Sequence, residues 1–237
     1  MDLLKLSEYL TDLKHQCSRK PSTRFQVLGE RCSGTNFLDT LIAQNLPLER
    51  SYAMRWKHGF PNFVAAPQNT VFVAIFRSAP DWLASMFSKP WHSSANLRNL
   101  SFSEFIRHEW TSTVDAAFHF RMHTNDSRVG QPLNADLHPI TGQPFSSLLE
   151  LRKAKMEALL SLPNRGARVI YTTHAKVTAN PGEVLTQLSR EVGLEPQSKI
   201  HVPKGHYGWS WDDRKVTPKN KNDIISKDDH AYMFHPG

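Results

Sequence analysis

Residues 27–38, Val-Leu-Gly-Glu-Arg-Cys-Ser-Gly-Thr-Asn-Phe-Leu, set small and polar residues between two apolar segments. Phe25, Val27 and Leu28 end a strand, and Phe37, Leu38, Leu41 and Ile42 mark the inner face of a following helix. A strand, a Gly/Ser/Thr loop and a helix N-terminus make a cradle for an anion. Backbone N–H groups converge there, the helix dipole favours negative charge, and glycine lets the backbone come close. Gly29 and Gly34 flank four residues, as in the Walker loop, but Thr35-Asn36 stand where that loop carries Lys-[Ser/Thr]. Without that lysine and a magnesium-binding hydroxyl, nucleoside triphosphate hydrolysis is disfavoured. The loop is expected to take phosphate, or a group shaped like it, and no metal is called for. Two more polar features close apolar segments: Lys57-His58 and Arg77. Each has an ordinary reading alone, as a tight turn, a packed histidine or a solvated cap. Gathered at one sheet edge, where parallel sheets bind ligands, they form a candidate site.

The elements that must carry these residues follow from periodicity and punctuation. Strands are expected at 24–28, 52–56, 71–76 and 168–171, with 71–76 a continuous apolar run suited to a buried parallel strand. Helices are expected at 3–14, 35–45, 101–123, 147–162 and 181–192, with another opening at Ser78-Ala79-Pro80-Asp81. A turn falls at 20–23, a long loop at 124–146 and an irregular tail at 203–237. Strand–helix alternation implies an α/β fold, a three-layer parallel sheet flanked by helices, in one domain spanning 1–237.

Bulk composition bounds the function classes. The chain of 237 residues is 39% hydrophobic and 22% charged, as expected of a soluble globular domain. Its 29 basic and 22 acidic residues leave a formal charge of +7, which favours anionic partners in general. No zinc-finger spacing, arginine-rich block or RNA-binding aromatic pattern points to nucleic acid. No apolar run reaches transmembrane length, and the N-terminus reads as an amphipathic helix, not a signal peptide. Cys17 and Cys32 make no disulfide framework, so a cytoplasmic setting is expected.

Several segments resemble the PAPS-dependent sulfotransferase family. Cys32-Ser33-Gly34-Thr35-Asn36 is similar to its 5′-phosphosulfate loop, Lys/Arg-Ser-Gly-Thr-Thr. Arg77 and Ser85, eight positions apart around Asp81-Trp82-Leu83, resemble its 3′-phosphate motif, with the proline one position later than usual. Trp56-Lys57-His58-Gly59-Phe60-Pro61 resembles the segment that holds the catalytic base, Val169-Ile170-Tyr171 the strand near the adenine, and Lys204-Gly205 the C-terminal loop over the 3′-phosphate.

The resemblance implies a P-loop-like nucleotide-binding fold and transfer of a sulfuryl group from PAPS (3′-phosphoadenosine-5′-phosphosulfate) to a hydroxyl or amine, leaving PAP. The acceptor would be a small molecule or a glycan. His58 would take the acceptor proton and Lys57 would stabilise the bridging oxygen. Arg31, with Ser33, Gly34, Thr35 and Asn36, would hold the phosphosulfate; Arg77, Ser85 and Lys204, with Gly205, would clamp the 3′-phosphate; Tyr171 would lie by the adenine. Cys32 departs from the pattern, because a thiol cannot supply the cation expected there, and it reads as a small filler. Arg31, one residue earlier, or Lys57 is left to supply that charge. The alternatives are a P-loop kinase-like phosphotransferase and a non-catalytic nucleotide- or polyanion-binding protein. His119 and His123, spaced i, i+4, read as a polar helix face, with a pair of metal ligands as the alternative, which lacks a neighbouring glutamate and a third ligand. Trp91, Trp110, Trp209 and Trp211 read as core, with lining of an acceptor cleft as the alternative.

Overall fold

The computed structural model describes residues 22–204 and 224–234, apart from 64, 121, 124, 196 and 197. Four strands, β1 (Arg24–Leu28), β2 (Glu49–Arg50), β3 (Thr70–Phe76) and β4 (Arg168–Thr173), make an all-parallel sheet in the order β2-β1-β3-β4. In register, Arg24 pairs with Thr70, and Val71 with Arg168. Around the sheet run α1 (Thr35–Asn45), α2 (Ala79–Ser88), α3 (Phe102–Arg107), α4 (Leu148–Leu160), α5 (His174–Ala179), α6 (Pro181–Val192) and α7 (Lys227–Phe234).

β3 is central, and Thr70 to Ile75 are all buried, which explains its unbroken apolar run. Its alternate residues serve opposite layers. Val71, Val73 and Ile75 pack with Phe25 and Val27 against Leu38, Leu41 and Ile42 of α1 and Leu185 and Leu188 of α6. Phe72 faces the other way with Leu28, against Leu159 and Leu162 at the end of α4. Helices therefore cover both faces. A further cluster joins Trp82, Leu83 and Met86 of α2 to Phe105, Trp110 and Leu148, fastening the helical side wall to the sheet.

Three expectations need correction. The second strand is Glu49–Arg50, not 52–56: the Met54 N–H turns to the Gln26 side chain (2.9 Å) and Arg55 takes φ 56°, so the chain leaves the sheet. The helix expected at 101–123 breaks into α3 and a separate 3₁₀ turn at Ala117–Phe120. His108 is already extended (ψ 148°), and the residues beyond it serve bridges such as Trp110 with Phe145 and Ser112 with Ser93. His119 and His123 therefore share no helix face. The described part of the segment 124–146 is a long loop as expected, with one 3₁₀ turn at Asn134–Asp136, where Asp136 is buried. The tail is not irregular throughout, since α7 is capped by reciprocal Ser226–Asp229 bonds (3.1 Å each) and seats Met233 in the side-wall cluster. The helix expected at 3–14, Lys20, Pro21, Cys17, Gly205, Trp209 and Trp211 lie outside the described residues. Among the described residues, no helix is long and apolar enough to cross a membrane.

Candidate functional site

The loop from β1 to α1 is shaped by two glycines. A Cβ on Gly29 would meet the Ile75 carbonyl oxygen at 2.7 Å. Gly34 sits at φ 89°, and a Cβ there would meet Cδ2 of His174 at 2.7 Å. An L side chain at that φ costs about 1–2 kcal/mol, so Gly34→Ala is expected to lose at least that much stability in denaturant melts. An unchanged midpoint would show the loop to be free of this constraint.

Under the loop lies a buried charge lattice. Arg31, 4% exposed, meets Asp136 at 2.6 Å and donates to the Trp91 carbonyl (2.9 Å) and the Ser112 hydroxyl (3.2 Å). Lys155 joins the same carboxylate and donates to the His58 carbonyl (2.6 Å). Burial would raise Asp136, but Arg31 and Lys155 outweigh it and hold its pKa at about 2. Glu30 pairs with Arg152 at 2.9 Å, and Arg152 also donates to the Arg77 carbonyl (2.6 Å). Burial pushes Glu30 up to about 7 despite Arg152. Trp82 Nε1 donates to the Arg31 carbonyl at 2.8 Å, tying the loop to α2. The lattice fixes the segment holding Lys57-His58, the loop and the strand end carrying Arg77 to α4, a helix outside the sheet.

Above the lattice opens a cleft of about 490 Å³. Arg31, Cys32, Gly34, Thr35, Asn36, Lys57, His58, Arg77 and Ser85 all line it. Ser33 is fully buried, and neither its Oγ nor Nε of Arg77 has a hydrogen-bond partner among the described residues. Two expected positions fall elsewhere. Tyr171 points to the α4 side of the sheet, its hydroxyl donating to the Leu159 carbonyl (3.2 Å) and its ring stacked on Phe76, and it does not line the cleft. Lys204 lines a separate depression with Gln44 and His201.

Lys89, Trp91, His92, His119 and His174 also line the cleft and were not anticipated there, Trp91 apart, for which lining was the alternative to a core position. His174 was legible by the rule that found Arg77, because β4 runs on to Thr173 and His174 closes it. The described lining residues include four Lys or Arg and four His, and no carboxylate.

Local bonds set the chemistry of each group. Nδ1 of His58 lies 2.8 Å from the Gly29 carbonyl, which can only accept, so Nδ1 carries the proton and Nε2 a lone pair. Burial, then the neighbouring Lys57 charge, holds the His58 pKa well below the ordinary histidine value. Burial also lowers Lys57, whose ammonium donates to Oδ1 of Asn36 in the loop. Arg77 donates to the Cys32 carbonyl at 2.9 Å, spanning from the end of β3 to the loop. The Cys32 thiol faces the Ser85 and Lys89 carbonyls at 3.8 and 3.7 Å, burial pushes its pKa up, and its backbone takes φ 61°. It is a neutral thiol, neither cation nor nucleophile at neutral pH.

No protein-family model matches the chain, and no curated protein matches it. The geometry offers a glycine-shaped loop at a helix N-terminus, flanking cations and, beside the loop, the His58 imidazole with a bare nitrogen. Such a site can hold an anion and take a proton.

Proposed function

We propose that this chain is a PAPS-dependent sulfotransferase with a P-loop-like nucleotide-binding fold, acting on a hydroxyl or amine of a small-molecule or glycan acceptor. The observation that carries the reading is one cleft joining the loop, Lys57-His58, Arg77 and Ser85 with no described carboxylate in its lining. Arg77, which lines this cleft, keeps a buried Nε with no hydrogen-bond partner among the described residues, a donor left over for an anion.

The donor supplies an activated sulfuryl group, whose S–O bond to phosphate breaks as a bond to the acceptor oxygen or nitrogen forms, with PAP leaving. Loop N–H groups, Thr35 and Asn36 hold the 5′ end, and Arg77 with Ser85 holds the 3′-phosphate. Lys57, tied to Asn36, takes the role of the loop cation that Cys32 cannot fill. Arg31, already answered by Asp136, braces the loop from below. His58 Nε2 receives the acceptor proton.

Titration calorimetry with PAP, ADP and ATP tests the reading. PAP should bind more tightly than ADP, which lacks the 3′-phosphate. Arg77→Ala should weaken PAP by about 10–100-fold, the worth of a charged hydrogen bond, and ADP by less, through the Cys32 carbonyl that Arg77 also holds. Equal affinity for PAP and ADP, or a preference for ATP, would favour a phosphotransferase and remove this assignment.

A further inference from the structure

One wall of the cleft carries a side-chain cluster that the proposed transfer does not use. His92 Nδ1 and His119 Nδ1 lie 2.8 and 3.0 Å from the same oxygen, Oδ1 of Asp115. All three ligand atoms fall within 4.8 Å of one another. We propose that His92, Asp115 and His119 form a binding site for a divalent first-row transition metal of the zinc class.

The ligand set is the first argument. Two imidazoles and one carboxylate suit zinc and its neighbours, and three protein ligands leave positions open on the ion. Bonds near 2.0–2.1 Å in a tetrahedral arrangement put ligand atoms roughly 3.3 Å apart, so the two N···O separations must open by a few tenths of an ångström while the two nitrogens, within 4.8 Å, settle to the same spacing.

The surroundings are already built. Oδ2 of Asp115 accepts from the His92 backbone N–H at 3.0 Å and faces Arg98 at 3.9 Å, so Oδ1 is the oxygen presented to the two rings. Trp56 packs edge-on against His92 at 5.6 Å, and Trp91 against His119 at 5.4 Å. Such outer contacts fix ring orientation at metal sites.

Backbone strain gives an independent observation. His92 sits at φ 56°, a left-handed conformation that costs a non-glycine residue energy and persists where the surroundings enforce it. The His92 carbonyl is held by the Thr113 N–H (2.7 Å), and Ser93 bridges Ser112, so the strained turn is pinned beside the Asp115 segment.

Charge and access are both satisfied. Asp115 brings a carboxylate oxygen to both rings. Of the nearby cations, Arg31 is already paired with Asp136, and Arg98 faces Oδ2 of Asp115, not the oxygen presented to the rings. Each imidazole binds the ion through the Nδ1 lone pair, with the ring proton carried on Nε2. Both rings line the cleft, which gives the ion an entry path and puts its open positions within reach of water or an oxygen ligand. The inference stands on this cluster alone and does not depend on the sulfotransferase reading.

The test uses the full chain after chelator treatment and dialysis, with Zn²⁺ in calorimetry and Co²⁺ in visible absorption. One equivalent should saturate, and the Co²⁺ bands should report nitrogen and oxygen ligands. Asp115→Asn and His119→Ala should each weaken Zn²⁺ by about 100-fold or more, since even outer-shell losses cost 10–100-fold. His123→Ala, the neighbouring histidine outside the cluster, should bind as wild type. Circular dichroism of the metal-free variants confirms folding; should either fail to fold, His92→Gln, which keeps a polar side chain, replaces it. No saturation by about 1 mM in the wild type would overturn the site. So would wild-type affinity in the folded variants, which would place the ion on other histidines.

Discussion

Replacing His58 with alanine is expected to cut sulfuryl-transfer turnover by about 10²-fold or more, the usual worth of a positioned proton acceptor. The imidazole is oriented by one bond, Nδ1–H to the Gly29 carbonyl at 2.8 Å, and braced edge-on by Trp56 at 5.4 Å. Both partners leave Nε2 as its only basic atom. The substitution spares the His58 carbonyl, which receives Lys155, so the lattice beneath keeps its connection and the thermal midpoint should move little. The pH profile gives a second readout. Burial and the Lys57 charge hold the imidazole well below its ordinary value of 6.5. Below its own pKa it is protonated and cannot accept, so the acid limb of kcat/KM belongs well below pH 6.5, and the rate stays flat through the usual histidine range. The measurement is sulfate transfer to the acceptor the wild type uses, from a panel of phenols, amines and sugars. Near-normal turnover in the folded variant, or a wild-type limb at pH 6.5, would remove His58 from this role.

The parts of the molecule legible in the sequence are those set by local pattern. Thr35–Asn45 and Pro181–Val192 begin and end where apolar spacing, Pro181 and Gly193 place them, and β1 and β3 follow their apolar runs. The loop, Lys57-His58, Arg77 and Ser85 could be gathered because parallel strands all deliver their carboxyl ends to one edge. The rest depends on pairings across long stretches of chain. Asp136, in a segment rich in turn residues, is buried only because Arg31 and Lys155, 105 and 19 positions away, meet it. The sequence spacing of 101–123 imitates a helix because Phe102, Phe105, Ile106 and Trp110 all enter one core cluster, yet only the first three do so from α3. Tyr171 was misplaced by a strand alternation: Ile170 joins the α1 side, which sends its neighbour to the α4 side. Arg31 stood near enough to the loop to pass for its cation, and only the position of Asp136 reveals that its charge is already spent.

That buried pairing makes Asp136→Ala the substitution with the largest expected effect on stability. The carboxylate is fully buried and answers two cations, Arg31 at 2.6 Å and Lys155, while also accepting from Ser112. Removing it strands two charges in a site with no other described carboxylate contacting either cation. Breaking a buried pair by deleting one partner costs about 3–5 kcal/mol, a large share of the marginal stability of a single domain. Arg31→Met combined with Asp136→Leu, which removes one cation with the acid, should recover part of that loss, because what is costly is the unanswered charge. The wild type carries the matching pH signature. The native pKa of Asp136, about 2, lies below the unfolded value near 3.8, so its contribution is fully present above the latter and disappears as pH falls through the former. Urea melts from neutral to acid pH measure both effects. The single variant should bind PAP weakly even where it stays folded, since Arg31 holds the loop and Lys155 the His58 carbonyl. A single variant as stable as wild type would show that water reaches the lattice and solvates both cations, and the bracing role of Arg31 would fall with it.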